Sequence, residues 1–180
     1  TNDKVETKNG VVNIKFKDDT TVKVTENSSM IIDDFVYDPK NSSGGKLGLK
    51  AASGTVRYVS GNIAHNNPNS VKINTPTATI AVRGTDFTAT VDEMGASTFV
   101  LLPSCPEDRP TRSARDIELN CKTGEIQVET DAGFVILNQP FQATKVNSRG
   151  QPPTKPVVLS LSEDNISNIL IYAPPKEIRK

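Results

Sequence analysis

Apolar residues recur at every second position through most of the chain, the period of a strand that buries one face. Val71 and Ile73 alternate with Lys72 and Asn74, and Ile80 and Val82 alternate with Thr79 and Ala81. Thr75-Pro76 breaks the ladder between them, because proline has no N–H to give a central strand. Upstream, Val12-Asn13-Ile14-Lys15-Phe16 and Thr20-Thr21-Val22-Lys23-Val24 flank Lys17-Asp18-Asp19, which predicts a hairpin. Met30-Ile31-Ile32 and Phe35-Val36-Tyr37 read as two short strands on either side of Asp33-Asp34. A loop at Asn41-Ser42-Ser43-Gly44-Gly45 precedes a ladder that starts at Leu47 and Leu49 and continues through Val56 and Tyr58. Gly61 and Asn66-Asn67-Pro68-Asn69 mark the next turns.

Downstream, Phe87 to Val91 reads as a strand ended by Asp92-Glu93-Met94-Gly95, and Thr98 to Leu102 as another. Cys105 to Cys121 is charged and carries prolines, so residues 103–122 are expected to form an exposed insertion. Ile126-Gln127-Val128-Glu129-Thr130 followed by Val135 then copies the spacing of Val71-Lys72-Ile73-Asn74-Thr75 followed by Ile80. The offset agrees without a gap, which predicts one local geometry used twice. Gln151-Pro152-Pro153-Thr154-Lys155-Pro156 is a stiff, extended linker by composition. Ser160 and Glu163 have capping-box spacing ahead of Ile166, Ile169 and Leu170, which predicts a short helix ended by Pro174-Pro175. The expected organisation is a polar N-terminal tail over 1–10, a β domain over 11–147, and a linker, helix and basic tail over 148–180. Ile166, Ile169, Leu170, Ile171 and Tyr172 form an apolar cluster suited to docking on another subunit, with packing against the chain's own β domain as the alternative.

Only 35% of the 180 residues are hydrophobic and 5% aromatic, with no tryptophan, which suits a thin layered structure more than one large core. Lys plus Arg equals Asp plus Glu at 21 each, so net charge gives no reason to expect nucleic acid. No apolar run approaches the ~20 residues of a membrane helix. Thr1 and the residues after it carry no signal-peptide pattern, and the sequence leaves open what precedes them.

Candidate chemistry is sparse. His65 is the one histidine, in a polar turn without a second ligand, and reads as a solvated side chain. The acidic pairs Asp18-Asp19, Asp33-Asp34 and Asp92-Glu93 are explained by turn chemistry and lack calcium-loop spacing. No nucleophile-elbow, zinc-protease or phosphate-loop motif occurs. A non-enzymatic chain with no metal and no cofactor is therefore expected. Arg83 and Asp86 bracket Gly84 closely enough to form a local ion pair that fixes a turn beside the core. Gly84 supplies a positive φ or room for a close approach. Thr75, Thr77, Thr79 and Thr85 read as inter-strand hydroxyl contacts. Cys105 and Cys121 bracket the insertion and are expected to bridge, with free thiols in a reducing compartment as the alternative.

The run Thr75-Pro76-Thr77-Ala78-Thr79-Ile80-Ala81-Val82-Arg83-Gly84-Thr85-Asp86-Phe87 resembles the signature of the FecR domain family. Gly54-Thr55-Val56-Arg57-Tyr58-Val59-Ser60-Gly61-Asn62-Ile63-Ala64 is similar to the block that precedes it in that family. The resemblance covers about Val11 to Val100. It implies an all-β domain, a twisted β-solenoid or layered sheet, in which Thr75, Pro76, Arg83, Gly84, Thr85, Asp86 and Phe87 act as a folding signature. The family's best-known members relay signals in the periplasm between an outer-membrane receptor and a sigma factor. Those members also carry an anti-sigma segment, a membrane helix and usually a small αβ domain, none of which is visible here. Phe99-Val100-Leu101-Leu102-Pro103 with Gly124-Glu125-Ile126-Gln127-Val128 is similar, more weakly, to FecR-domain proteins of marine bacteriophages. Together these resemblances imply a structural and interaction module, a subunit of a virion or an extracellular assembly that contacts other protein subunits. A periplasmic relay domain is the alternative, and a carbohydrate- or surface-binding module the third reading.

Overall fold

In the computed structural model, which describes residues 2–41, 43–106, 108–109 and 113–159, the alternating segments become strands. In chain order these are β1 (Asp3–Glu6), β2 (Val12–Lys15), β3 (Thr21–Val24), β4 (Ser29–Val36) and β5 (Lys46–Val59). The short helix α1 (Asn62–Asn66) follows, then β6 (Val71–Asn74), β7 (Thr79–Arg83), β8 (Asp86–Val91) and β9 (Ser97–Leu102). Helix α2 (Ala114–Asn120) leads to β10 (Glu125–Thr130), β11 (Gly133–Leu137), β12 (Gln142–Val146) and β13 (Val157–Val158). The strands join into one curled sheet with the path β11-β10-β7-β6-β5-β8-β9-β12-β13, to which β4 and β3 attach through β5. Neighbours are antiparallel except β5 and β6, so the fold is the layered form of the expected all-β domain.

Strand β5 makes the sheet fold over. Its first part pairs with β4 and β6, and from Gly54 onward it pairs with β3 and β8. Gly54 has φ +78°, and a Cβ there would lie 2.1 Å from Ser28 Oγ. That oxygen instead accepts the Thr55 N–H at 3.0 Å, so the change of partners requires glycine. The two halves then face each other over one core that includes Val22, Leu49, Tyr58, Ile80, Phe87 and Val128. Tyr58 and Phe87 pack at 5.5 Å between ring centroids. A lean supply of apolar residues suffices because both halves draw on the same interior.

The repeated spacing corresponds to two successive hairpins. Ile73 stands opposite Ile80 and Val128 opposite Val135, with four residues, 75–78, joining the strands of the first hairpin and two, 131–132, those of the second. The hairpins lie side by side through β7 and β10, with Val128 opposite Ile80.

Several expectations are corrected. The N-terminal segment is not simply a tail, since β1 pairs along β4 from Asp3↔Ile32 to Glu6↔Ser29. Its alternation was hidden because both faces are largely exposed and charged, and the partner supplies only backbone bonds. The strands around Asp33-Asp34 are one strand with a bulge, in which Asp33 is the extra residue between Ile32↔Leu49 and Asp34↔Gly48. Part of the insertion is buried, because Ile117 of α2 packs with Leu102 and Phe141. A capping box between Ser113 and Asp116 starts that helix. The linker is extended but is bonded into the sheet. The Thr154 N–H donates to the Lys145 carbonyl at 2.9 Å, β13 pairs with β12, and the Leu159 N–H donates to the Phe141 carbonyl at 3.0 Å. The helix expected after Ser160, with Ile166, Ile169, Leu170, Ile171 and Tyr172, lies outside the described residues.

The signature corner as candidate functional site

The signature begins in the turn between β6 and β7. Thr75 Oγ1 accepts the N–H groups of Thr77 at 3.3 Å and Ala78 at 3.1 Å, which closes the turn that Pro76 opens. Ser97 Oγ on β9 donates to Thr75 Oγ1 at 2.8 Å and lies 2.8 Å from Thr77 Oγ1. A hydroxyl cluster thus ties one sheet half to the other. Arg149 adds a charged clamp, with Nη2 donating to the Thr75 carbonyl and Nε to the Pro76 carbonyl, both at 3.1 Å. Thr79 Oγ1 donates to Asn74 Oδ1 at 2.8 Å. Thr85 Oγ1, by contrast, is buried without a hydrogen-bond partner among the described residues, and Thr85 is held through its N–H on Ser60 Oγ.

Arg83-Gly84-Thr85 is a corner where the chain leaves one half of the sheet for the other. β7 pairs with β6 and β10, whereas β8 pairs with β5 and β9. Gly84 takes φ +62° at this corner, the first of the two roles that the sequence left open. Its carbonyl is also covered, since a Cβ on Gly124 would fall 2.3 Å from Gly84 O. Two glycines therefore meet where the chain changes layers.

Arg83 and Asp86 do not pair with each other. Arg83 stays on the outer face, where its Nη1 donates to Glu125 Oε1 at 2.7 Å on the adjacent strand. Asp86 turns inward and receives Arg57 Nε at 3.1 Å and Nη2 at 2.6 Å. The corner accounts for the difference, because the residues on its two sides belong to strands in different layers. Arg57 Nη1 has no hydrogen-bond partner among the described residues. Burial pushes the Asp86 carboxyl above its ordinary value, and the Arg57 contact pulls it back. Lys23, opposite Arg57 in the β3–β5 register, is lowered by burial and then by the Arg57 charge. Phe87, the last signature residue, fills the core against Tyr58.

Sequence reasoning missed Asp18. It is fully buried, with its carboxylate accepting Thr20 N and Thr20 Oγ1 at 3.1 and 2.7 Å and Ile63 N at 3.2 Å. Asp-x-Thr spacing in the β2–β3 turn was the available signal, but the contact to α1 comes from 45 residues away. His65 is exposed on α1, near Gly84. Cys105 and Cys121 form a disulfide beside the paired backbones of Ser104 and Lys122. A cleft of about 500 Å³ is lined in part by Asp33, Asp34, Lys46, Gly48, Lys72 and Asn74. Its carboxylates are already engaged, Asp34 by Lys46 at 2.8 Å and Asp33 by Lys50 at 3.4 Å. Among the described residues no three His, Cys, Asp or Glu side chains gather as metal ligands, and no helix is long and apolar enough to cross a membrane. In the signature both carboxylate pairings are structural, Arg57 with Asp86 and Arg83 with Glu125, so this arrangement fixes a rigid corner.

Two crystal structures, at 1.65 and 2.50 Å, of a Parabacteroides distasonis protein named as a candidate anti-sigma factor share the fold, each with TM-score 0.58 and 11% identity. The match covers 93% of this chain but 64% of the other, so this chain spans less than two thirds of that protein's length. No curated protein matches. Nothing in these comparisons supports the bacteriophage resemblance. The pattern of the family described as FecR protein matches residues 3–102, more than half of the sequence and all of Thr75 to Phe87, and the chain belongs to that family.

Proposed function

We propose that this chain is a non-enzymatic relay domain of the FecR kind, acting in the periplasm to pass the state of an outer-membrane receptor toward an anti-sigma regulator. The observation that carries the reading is the family match over 3–102, which contains the signature chain from β6 to β8 that passes from one sheet half to the other. A rigid body of this kind transmits contact made at one surface to whatever is attached at another. The Cys105–Cys121 disulfide adds support, because such bridges persist in oxidising compartments such as the periplasm. The fold shared with the candidate anti-sigma factor agrees with it. The reading as a virion subunit has no comparable observation behind it.

The test is binding. The purified chain, with its disulfide intact, is titrated calorimetrically with the isolated signalling domains of outer-membrane receptors from its source organism. Saturable binding to one of them is expected. Recovery of the chain in purified particles, together with no heat from any receptor domain, would sink the proposal.

A further inference from the structure

Among the described residues, β11 ends the sheet with only β10 beside it. In the hairpin register Gly133, Val135 and Leu137 exchange hydrogen bonds with Thr130, Val128 and Ile126, so the N–H and C=O groups of Phe134 and Ile136 point away from β10. Phe134 is 58% exposed and Ile136 37%. The strand Gly133-Phe134-Val135-Ile136-Leu137 contains no charge and no proline, the devices that usually protect an edge. The other end of the sheet is different, since β13 follows Pro152, Pro153 and Pro156, which lack N–H groups.

We propose that the edge of β11 is the docking site for this chain's own segment Ile169-Leu170-Ile171-Tyr172, laid antiparallel to it in extended form, in place of the helix that the capping-box spacing predicts for these residues. The start of the tail favours this occupant. Leu159 is bonded to the Phe141 carbonyl, close in sequence to Leu137, the end of β11 where such a strand would begin. The residues between Leu159 and Ile169 can span roughly 30 Å extended, ample to reach a five-residue strand. The segment is rich in β formers, and Pro174-Pro175 would stop it near Gly133. Lys176 would then arrive beside Glu129 and Asp131, both exposed at that end. Size also argues for a tethered occupant. So short an edge falls below the roughly 1,200 Å² that separate proteins need for a stable interface, whereas tethering raises the effective concentration to millimolar.

Hydrogen exchange by NMR on the 15N-labelled chain tests this. In the parent, the Phe134 and Ile136 amides should exchange about tenfold or more slower than in the double variant Leu170→Asp/Ile171→Asp, with Val135 unchanged. Cross-relaxation between Ile136 and residues 169–172 in the parent gives a readout that needs no variant. Equal exchange in the two proteins, or absence of those cross-peaks, overturns the proposal. Protection that disappears on dilution assigns the site to a second copy and overturns it too.

Discussion

Arg57 and Asp86 form a two-pronged ion pair in the interior, with side chains only 7% and 4% exposed, although 29 residues separate them in sequence. Arg83, the arginine nearest to Asp86 in sequence, is 45% exposed and paired with Glu125. Removing one partner of a buried pair strands the other, at about 3–5 kcal/mol, whereas an exposed pair contributes about 0–1 kcal/mol. Arg57→Met should therefore lower the urea midpoint far more than Arg83→Ala. Equal losses would show that Asp86 depends on both arginines alike.

Asp86 also sets a pH dependence with an unusual sign. Burial raises its folded pKa above the ordinary 3.8, against the smaller pull of Arg57. The folded state then holds a proton that the unfolded chain has released. Its contribution is complete below pH 3.8 and is lost as pH rises through the folded value. Relative to Asp86→Asn, the parent should lose stability as pH is raised from about 3.8, read as the difference in urea midpoints. A parent that gains on the variant over that range would reverse the account.

Much of the fold was legible because its hairpins are local. Val71–Ile80 and Ile126–Val135 show the same alternation in sequence and the same pairing in space. Gly84 announced its corner because it stands between two strand patterns. The charge pairing was not legible, since a nearby arginine offered itself while the true partner came from β5. β1 and Asp18 were missed for a related reason. One has no apolar face, and the other looks like turn chemistry until α1 folds against it.

Tyr58 is fully buried, and burial pushes its hydroxyl up to about 12. The Ser60 and Thr20 hydroxyls lie near enough to ease that rise but do not reach hydrogen-bond geometry. The neutral hydroxyl's contribution is complete below the ordinary value of 10.0 and lost as pH climbs to about 12, roughly 2–3 kcal/mol in all. Tyr58→Phe should unfold at higher alkaline pH than the parent and lose nothing at neutral pH, where it removes an unpaired buried oxygen. Loss of stability in the variant at pH 7 would show that the hydroxyl is bonded.

The glycine contacts predict an order of severity. Ala at Gly84 meets His65 Nδ1 at 3.1 Å, a side chain that can move, plus the strain of φ +62° at about 1–2 kcal/mol. Val there should be worse, because β-branched residues fit positive φ least. Ala at Gly124 meets Gly84 O at 2.3 Å and Thr85 Cβ at 2.5 Å, and neither can yield without opening the corner. Gly124→Ala should therefore destabilise more than Gly84→Ala in thermal melts. The opposite order would mean that backbone strain, rather than close approach, governs the corner.

The linker and the tail beyond Leu159 should respond differently to truncation. Residues 148–159 are bonded to the domain at several points. Arg149 clamps the Thr75 and Pro76 carbonyls, Thr144 Oγ1 donates to the Thr154 carbonyl at 2.7 Å, and Thr130 Oγ1 donates to the Gln151 carbonyl at 2.8 Å. Leu159 packs with Phe141 and Ile117 beneath α2. Each buried hydrogen bond contributes about 0.5–1.5 kcal/mol, and those from a charged donor more. Truncation after Asn147 removes all of these and leaves Thr130 and Thr144 without their carbonyl partners. Truncation after Leu159 removes none. The shorter protein should lose several kcal/mol relative to the longer one, measured by urea unfolding of both. If the two truncations melt together, the linker is a passive spacer and its bonds to β12 do not hold the sheet.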